Sequence, residues 1–205
     1  MKRDRVTIIM LTRIIMVVFA AVICCGGCDA RELSATSIVL GVGLDEDAGL
    51  VRVTVELSGA DSSAAAVLSA AGANMTACVD ALQRQINEDL YWGSTAVLIY
   101  GDCIDRRAAD SCGIYCYREL GISGKTPILR VVDRTARDVL AGTFGQAPYV
   151  ALGLCEALRL KNVANQAELT LGEQLETAYA HSRPCETAAV TVGANNMVCL
   201  VDKPQ

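Results

Sequence analysis

Residues 14–25, IIMVVFAAVICC, carry no charge. They follow a head, MKRDRVTIIMLTR, that holds Lys2, Arg3, Arg5 and Arg13 against a single Asp4. No other feature constrains the chain as strongly, because a basic head and a short apolar stretch form a secretory signal, which stands apart from any folded body. As a helix the 12-residue run would span about 18 Å, against a hydrocarbon core of roughly 30 Å. Extending it back to Val6 puts Arg13 in the bilayer interior, at a cost of about 2.5–3.5 kcal/mol. The segment therefore reads as an export signal and not as a permanent spanning helix.

The residues just after the run are more specific. Cys25-Gly26-Gly27-Cys28 places small residues before a cysteine, and polar sequence starts at Asp29. This looks like a bacterial lipoprotein signal, in which the cysteine sulfur takes lipid (palmitate-type acyl chains) and the chain is cut just before it. Cys28 is the better acceptor, because Cys24 and Cys25 are preceded by bulky Ile23 and by another cysteine. The same four residues also spell a CxxC redox pair. Their place at the end of an apolar signal, rather than before a helix of a folded domain, argues against that reading. Two acyl chains hold a protein on a membrane stably, where one does not.

Cleavage would leave residues 28–205. The removed piece carries four basic residues and one acid, so the net charge of −5 would become −8. Such a balance argues against a nucleic-acid partner, which needs a basic face to displace phosphate counterions. The one histidine, His181, excludes any mechanism with two imidazoles, and nine aromatic residues are too few for a stacking platform. A chain of this size buries roughly 70% of its unfolded surface, enough for one good core without staples.

Thr36–Leu44 is a β-rich apolar run, and Asp45–Gly49 reads as a turn. Leu50–Leu57 alternates, with Val51, Val53, Val55 and Leu57 on one face and Arg52, Thr54 and Glu56 on the other. Together they predict an antiparallel hairpin. Ser58–Ala73 is small-residue low complexity and reads as a flexible loop, with a short helix as the alternative. Helical spacing covers Asn74–Leu90, Asp102–Leu120 and Leu169–Ala180. Asp133 reads as the cap of a helix to Leu140, and Pro148 as the first turn of one to about Leu160. Short strands are expected at Ser94–Tyr100, Thr126–Val132, Thr187–Val192 and Met197–Val201. The fold class is thus α/β of the mixed α+β kind, a central largely antiparallel or mixed β-sheet flanked by α-helices behind a signal peptide.

Several motifs have bland readings that win. Gly121-Ile-Ser-Gly124-Lys125-Thr126 is too short for a phosphate loop and precedes Pro127 and a strand, where a phosphate loop must open a helix. It reads as a turn between elements. Gly41-Val-Gly43 lacks a third glycine, since Glu46 stands there, and reads as a softened strand end. The acid pairs Asp45/Asp47 and Glu88/Asp89 read as solvated groups in turns or at a helix end. Of ten cysteines, seven remain if Cys28 is acylated, an odd number without a repeating spacing. Most read as buried thiols. Cys112 and Cys116, one turn apart on a helix, could join His181 and Cys185 as four soft ligands for zinc; two cysteines on an apolar helix face are more often core. No metal, cofactor or catalytic residue is assigned.

Residues CDAREL (28–33), IVLGVGLD (38–45) and GLVRVTVEL (49–57) resemble the start of the Ger(x)C family of spore germination lipoproteins. The likeness continues through MTACVDALQRQ (75–85), LYWGSTAVLIYG (90–101), TPILRVVDRTARDVL (126–140) and HSRPCETAAVTV (181–192). The chain departs from the family pattern in lacking a Trp after Cys28 and in placing Ser94 where His is usual. It also stops where the family's carboxy-terminal portion begins. Residues 1–27 are thus expected to be a lipoprotein signal peptide and 28–205 a Ger(x)C-like N-terminal domain. The resemblance implies a non-enzymatic subunit of a nutrient-germinant receptor, lipid-anchored through Cys28 at the outer face of the inner spore membrane. Its implied partners are the membrane and the integral-membrane A- and B-type receptor subunits, with no cofactor. The alternative is a generic cell-envelope lipoprotein that binds a small solute. A third reading, a thiol or zinc enzyme, would use Cys112, Cys116, His181 and Cys185.

Overall fold

The computed structural model describes residue 16 and residues 36–58, 65–162, 169–180, 188–193 and 195–201. The signal, Cys28, His181 and Cys185 lie outside the described residues. The expected hairpin forms from β1 (Thr36–Asp47) and β2 (Leu50–Leu57), antiparallel with Asp47 opposite Leu50. The turn is shorter than the sequence suggests. Only Ala48 and Gly49 make it, both with positive φ, the geometry that matches the twist of paired strands. Asp45, Glu46 and Asp47 therefore belong to the strand and not to the turn. A bulge between Val39 and Gly41 lets Leu40 and Gly41 face the same side, which resets the alternation.

Ser58–Ala73 is not a flexible loop throughout. Ala66–Gly72 forms β3, paired antiparallel with β2 over its whole length. Small residues gave no readable alternation there. What fixes the strand is pairing with β2, including a 2.7 Å bond between the Thr54 and Ser69 hydroxyls.

Helix α1 (Met75–Gln83) starts at Asn74, whose side chain accepts from the Ala77 N–H. It ends well before Leu90. The Gln83 amide donates to the Glu88 carbonyl and accepts from the Leu90 N–H, which turns the chain into β4 (Asp89–Tyr91). β5 (Val97–Tyr100) and α2 (Arg106–Arg118, capped by Asp105) come next, then β6 (Ile128–Val131). Gly121 ends the α2 turn with φ +69, as a helix-stopping glycine does. Helix α3 (Ala136–Leu140) is capped by Thr135 in a reciprocal pair with Asp138. Asp133, the expected cap, instead sits two residues earlier with φ +60. Helices α4 (Val150–Asn162) and α5 (Leu171–Ala180) precede a closing antiparallel pair, β7 (Ala188–Val192) and β8 (Val198–Val201).

The sheet runs β3-β2-β1-β5-β6-β7-β8, with β4 beside the first residues of β1. It is mixed, as expected: β1, β5, β6 and β7 are mutually parallel at its centre, and antiparallel strands close both sides. Helices cover both faces. On one, α1, α2 and α5 pack Cys78, Leu82, Cys112, Cys116 and Leu171 against Val53, Val55, Leu98 and Tyr100. On the other, α3 and α4 pack Val139, Leu140, Ala151 and Leu154 against Ile99, Leu129 and Val131. This three-layer arrangement is how a chain hides both sides of a largely parallel sheet.

The α3–α4 layer lies close to the strands because glycines leave room. A Cβ on Gly41 would come within 2.7 Å of the Ala151 Cβ, and one on Gly43 within 3.0 Å of the Ala136 Cβ. Gly41 and Gly43 thus sit in mid-strand under helices rather than at a strand end. A Cβ on Gly101 would fall inside the Asp45 carboxylate. Gly101→Ala should therefore lower stability by about 1–3 kcal/mol, the usual cost of overpacking, as read by urea denaturation. Ser111→Ala, on the exposed side of α2, should change it by less than about 0.5 kcal/mol.

Candidate functional site

Two buried carboxylates stand on the α3–α4 face of the sheet. Asp45, at the end of β1, is 4% exposed, and Glu56, at the end of β2, is fully buried. Asp45 accepts N–H bonds from Ala136 (2.7 Å) and Arg137 (3.2 Å) at the start of α3. Glu56 accepts from Val150 and Ala151, both at 2.7 Å, at the start of α4. Each thus neutralises orphan donors at a helix N-terminus and meets the positive end of its dipole. The alternation of β2 puts Glu56 on its polar side, and that is the side on which α4 is hung.

Burial pushes both carboxyl groups above their ordinary values, against the pull of the two N–H bonds on each; Asp138 pushes Asp45 further up and Arg52 draws it down. A raised carboxyl in a cleft marks a general acid. Here each is buried under the helix it holds, and both oxygens of each carboxylate accept a helix N–H. The role that fits the geometry is structural.

The candidate zinc set is divided. Cys112 and Cys116 lie on the inner side of α2, both buried. Burial pushes the Cys112 thiol up to about 12 and Cys116 higher still, with neighbouring Cys78 and Glu46 adding to the first and Cys112 to the second. Thiolates, the form that binds metal, are strongly disfavoured there. His181 and Cys185 fall outside the described residues. Cys78 is also buried and donates to the Val51 carbonyl, while Cys103 and Cys199 are exposed thiols. Among the described residues no cluster of three or more His, Cys, Asp or Glu side chains could hold a metal ion.

The Gly121–Thr126 segment connects α2 to β6, as its sequence suggests. Three of its N–H groups are used locally: Ile122 donates to the Cys116 carbonyl, and Lys125 and Thr126 to Ser123. It offers carbonyls to the next helix rather than amides to a phosphate. Gly172 donates to Gly124 (2.8 Å) and Leu171 to Thr126 (2.9 Å). Thr170 and Glu173 complete a reciprocal cap, so the start of α5 has no donors left for an anion.

Docked in this way, α5 lies beside α2 and leaves a groove of about 320 Å³ between them, lined by Ile114, Tyr117, Arg118, Leu175, Glu176 and Tyr179 over a floor of Gly124 and Gly172. Beneath it a polar cluster fixes the helices. The Tyr100 hydroxyl lies 2.8 Å from the Gln174 amide oxygen, and the Gln174 amide donates to Asp110. Gly113 leaves the space, since a Cβ there would come within 3.1 Å of both the tyrosine oxygen and the Gln174 oxygen. Sequence reasoning missed this groove and both capping acids. The Thr170-x-x-Glu173 cap was legible as a sequence signature; the rest depended on which strands and helices meet.

A family model described as spore germination protein N-terminal domain matches residues 29–185. No curated protein and no solved structure matches the chain.

Glu56→Gln keeps one acceptor but turns an N–H₂ toward the other helix donor, and should cost about 1–3 kcal/mol. The pH dependence has a definite sign. A native carboxyl held above its ordinary value of 4.5 binds its proton more tightly than the unfolded chain does. Its contribution is full below that value and falls as pH rises through the raised native one. Wild-type stability relative to Glu56→Gln should therefore be greater near pH 4 than near pH 7, in paired urea titrations.

Proposed function

This chain belongs to the spore germination protein N-terminal domain family, and we propose that it is a lipid-anchored, non-catalytic subunit of a nutrient-germinant receptor. In this reading Cys28 carries the lipid, at the outer face of the inner spore membrane. The folded body assembles with the integral-membrane A- and B-type subunits. One observation carries the reading: the family match begins at residue 29, directly after the cysteine at which the expected export signal would end. The chemistry of the body is consistent with it. Its two buried carboxylates are committed to helix termini, and its paired helical thiols are held protonated in the core. Such a body can present surfaces to a partner while its interior stays inert.

The anchor is tested by mass spectrometry of the protein from spore membranes. The expected product starts at Cys28 with a lipid thioether on its sulfur, and Cys28→Ala should move the chain out of the membrane fraction and slow the nutrient response. An unmodified Cys28 in a soluble, full-length chain, or normal nutrient germination in spores lacking the gene, would overturn the proposal.

A further inference from the structure

We infer that the folded body meets the lipid surface by the end of the sheet at which β1, β4 and β5 begin, with Tyr91 at the headgroups and the Ala48–Gly49 turn held away from the bilayer. This rests on the Cys28 anchor proposed above, and it adds to that anchor an orientation and a contact residue.

The length of chain between the anchor and the body sets the orientation. From Cys28 to Thr36 is eight residue steps, and a step spans at most about 3.6 Å. Whatever path those residues take, the start of β1 is held within about 29 Å of Cys28. β1 is a strand of 12 residues, Thr36–Asp47, and at about 3.3 Å per residue its ends stand about 36 Å apart. With β1 upright and its hairpin turn on the bilayer, Thr36 would be out of reach of its own anchor. The reverse orientation brings Thr36 down beside the surface and asks for no such stretch.

Strand pairing places the residues at this end. Thr36 lies beside Asp89 and Ile38 beside Tyr91. Ser58, just past β2, donates to the Ile38 carbonyl, and Ala96, just before β5, to the Leu40 carbonyl. Tyr91 is 51% exposed, while Trp92 next to it is buried. Gly93 leaves room for the tyrosine, since a Cβ there would come within 2.7 Å of the Tyr91 hydroxyl. A side chain with an apolar ring and a polar tip suits the headgroup layer, where one end is dry and the other wet. Charge does not draw this end to a surface: Arg84 and Lys125 stand against Asp89 and Glu119, all four exposed. The contact is therefore set by tether length and tyrosine, and needs no anionic lipid.

Trp92 is the chain's one tryptophan, so its emission reports on this end without a label. The test inserts the protein, purified from spore membranes, into phosphatidylcholine vesicles with and without lipid spin-labelled at the headgroup, a short-range quencher. Trp92 emission should fall roughly twofold or more, as for a ring near the headgroup level, and the loss should be the same when phosphatidylglycerol is added. Tyr91→Ser should weaken the quenching. Trp92→Phe combined with Leu50→Trp moves the reporter to the hairpin end, where residue 50 is exposed, and its emission should not change. Quenching at position 50 equal to or greater than that at 92, or no quenching at either in a chain that sediments with the vesicles, would overturn the orientation and leave the anchor standing. Quenching of Trp92 only when phosphatidylglycerol is present would overturn the tyrosine contact in favour of a charge-driven one. A chain that carries no lipid on Cys28 and does not bind the vesicles would overturn both the orientation and the anchor.

Discussion

A carboxylate taken out of water costs several kcal/mol unless hydrogen bonds replace its hydration, and that requirement organises one whole face of this sheet. Asp45 and Glu56 are buried on adjacent strands, and among the described residues the donors that reach them are the first amides of α3 and α4. Each helix start is thereby fixed to a point on the sheet, and each acid has the partners it needs. Neither half is tolerable alone: the acids would be stranded in an apolar layer, and the helix starts would keep orphan amides. The glycines answer to the same contact. Gly41 and Gly43 let α3 and α4 close on β1, and Gly101 vacates the volume that the Asp45 carboxylate fills.

This explains which parts of the fold could be read from sequence. The β1–β2 hairpin, the closing β7–β8 pair and the helices along the chain arise from local alternation and spacing, and each exists near where those signals put it, although α1 stops at Gln83, short of Leu90, and the hairpin turn is shorter than its acidic run suggests. Features that depend on a distant partner were misread. Glu56 sits on the polar side of an alternating strand, and nothing within ten residues says that the start of a helix some ninety residues on will lie over it. Ala66–Gly72 has side chains too small to mark an inward face, so its strand is defined by pairing with β2. Asp133 and Thr135 were both eligible caps. The choice of Thr135 is made by Asp138 returning the bond to its backbone, while Asp133 takes a left-handed conformation that aspartate tolerates well.

The opposite face is held by different chemistry, with different consequences. There α2 and α5 meet over a hydroxyl, an amide and a carboxylate, and α5 is seated by the carbonyls of the Gly121–Thr126 segment. Polar joints of this kind set the helices at a fixed spacing without filling the space between their outer faces. The groove is what remains, and across its rim the Arg118 guanidinium donates to the Tyr179 hydroxyl, one more polar tie between the two helices.

The Gly41-Val-Gly43-Leu44-Asp45 segment, the alternating strand after it and the strand ending at Gly101 are all parts of the acid-to-helix joint. Their order along the chain is a record of how the layer closes. They specify a scaffold and carry no information about a ligand. The family match spans residues 29–185 and so takes in both faces of the sheet, the α2–α5 face with Tyr117, Arg118, Glu176 and Tyr179 included.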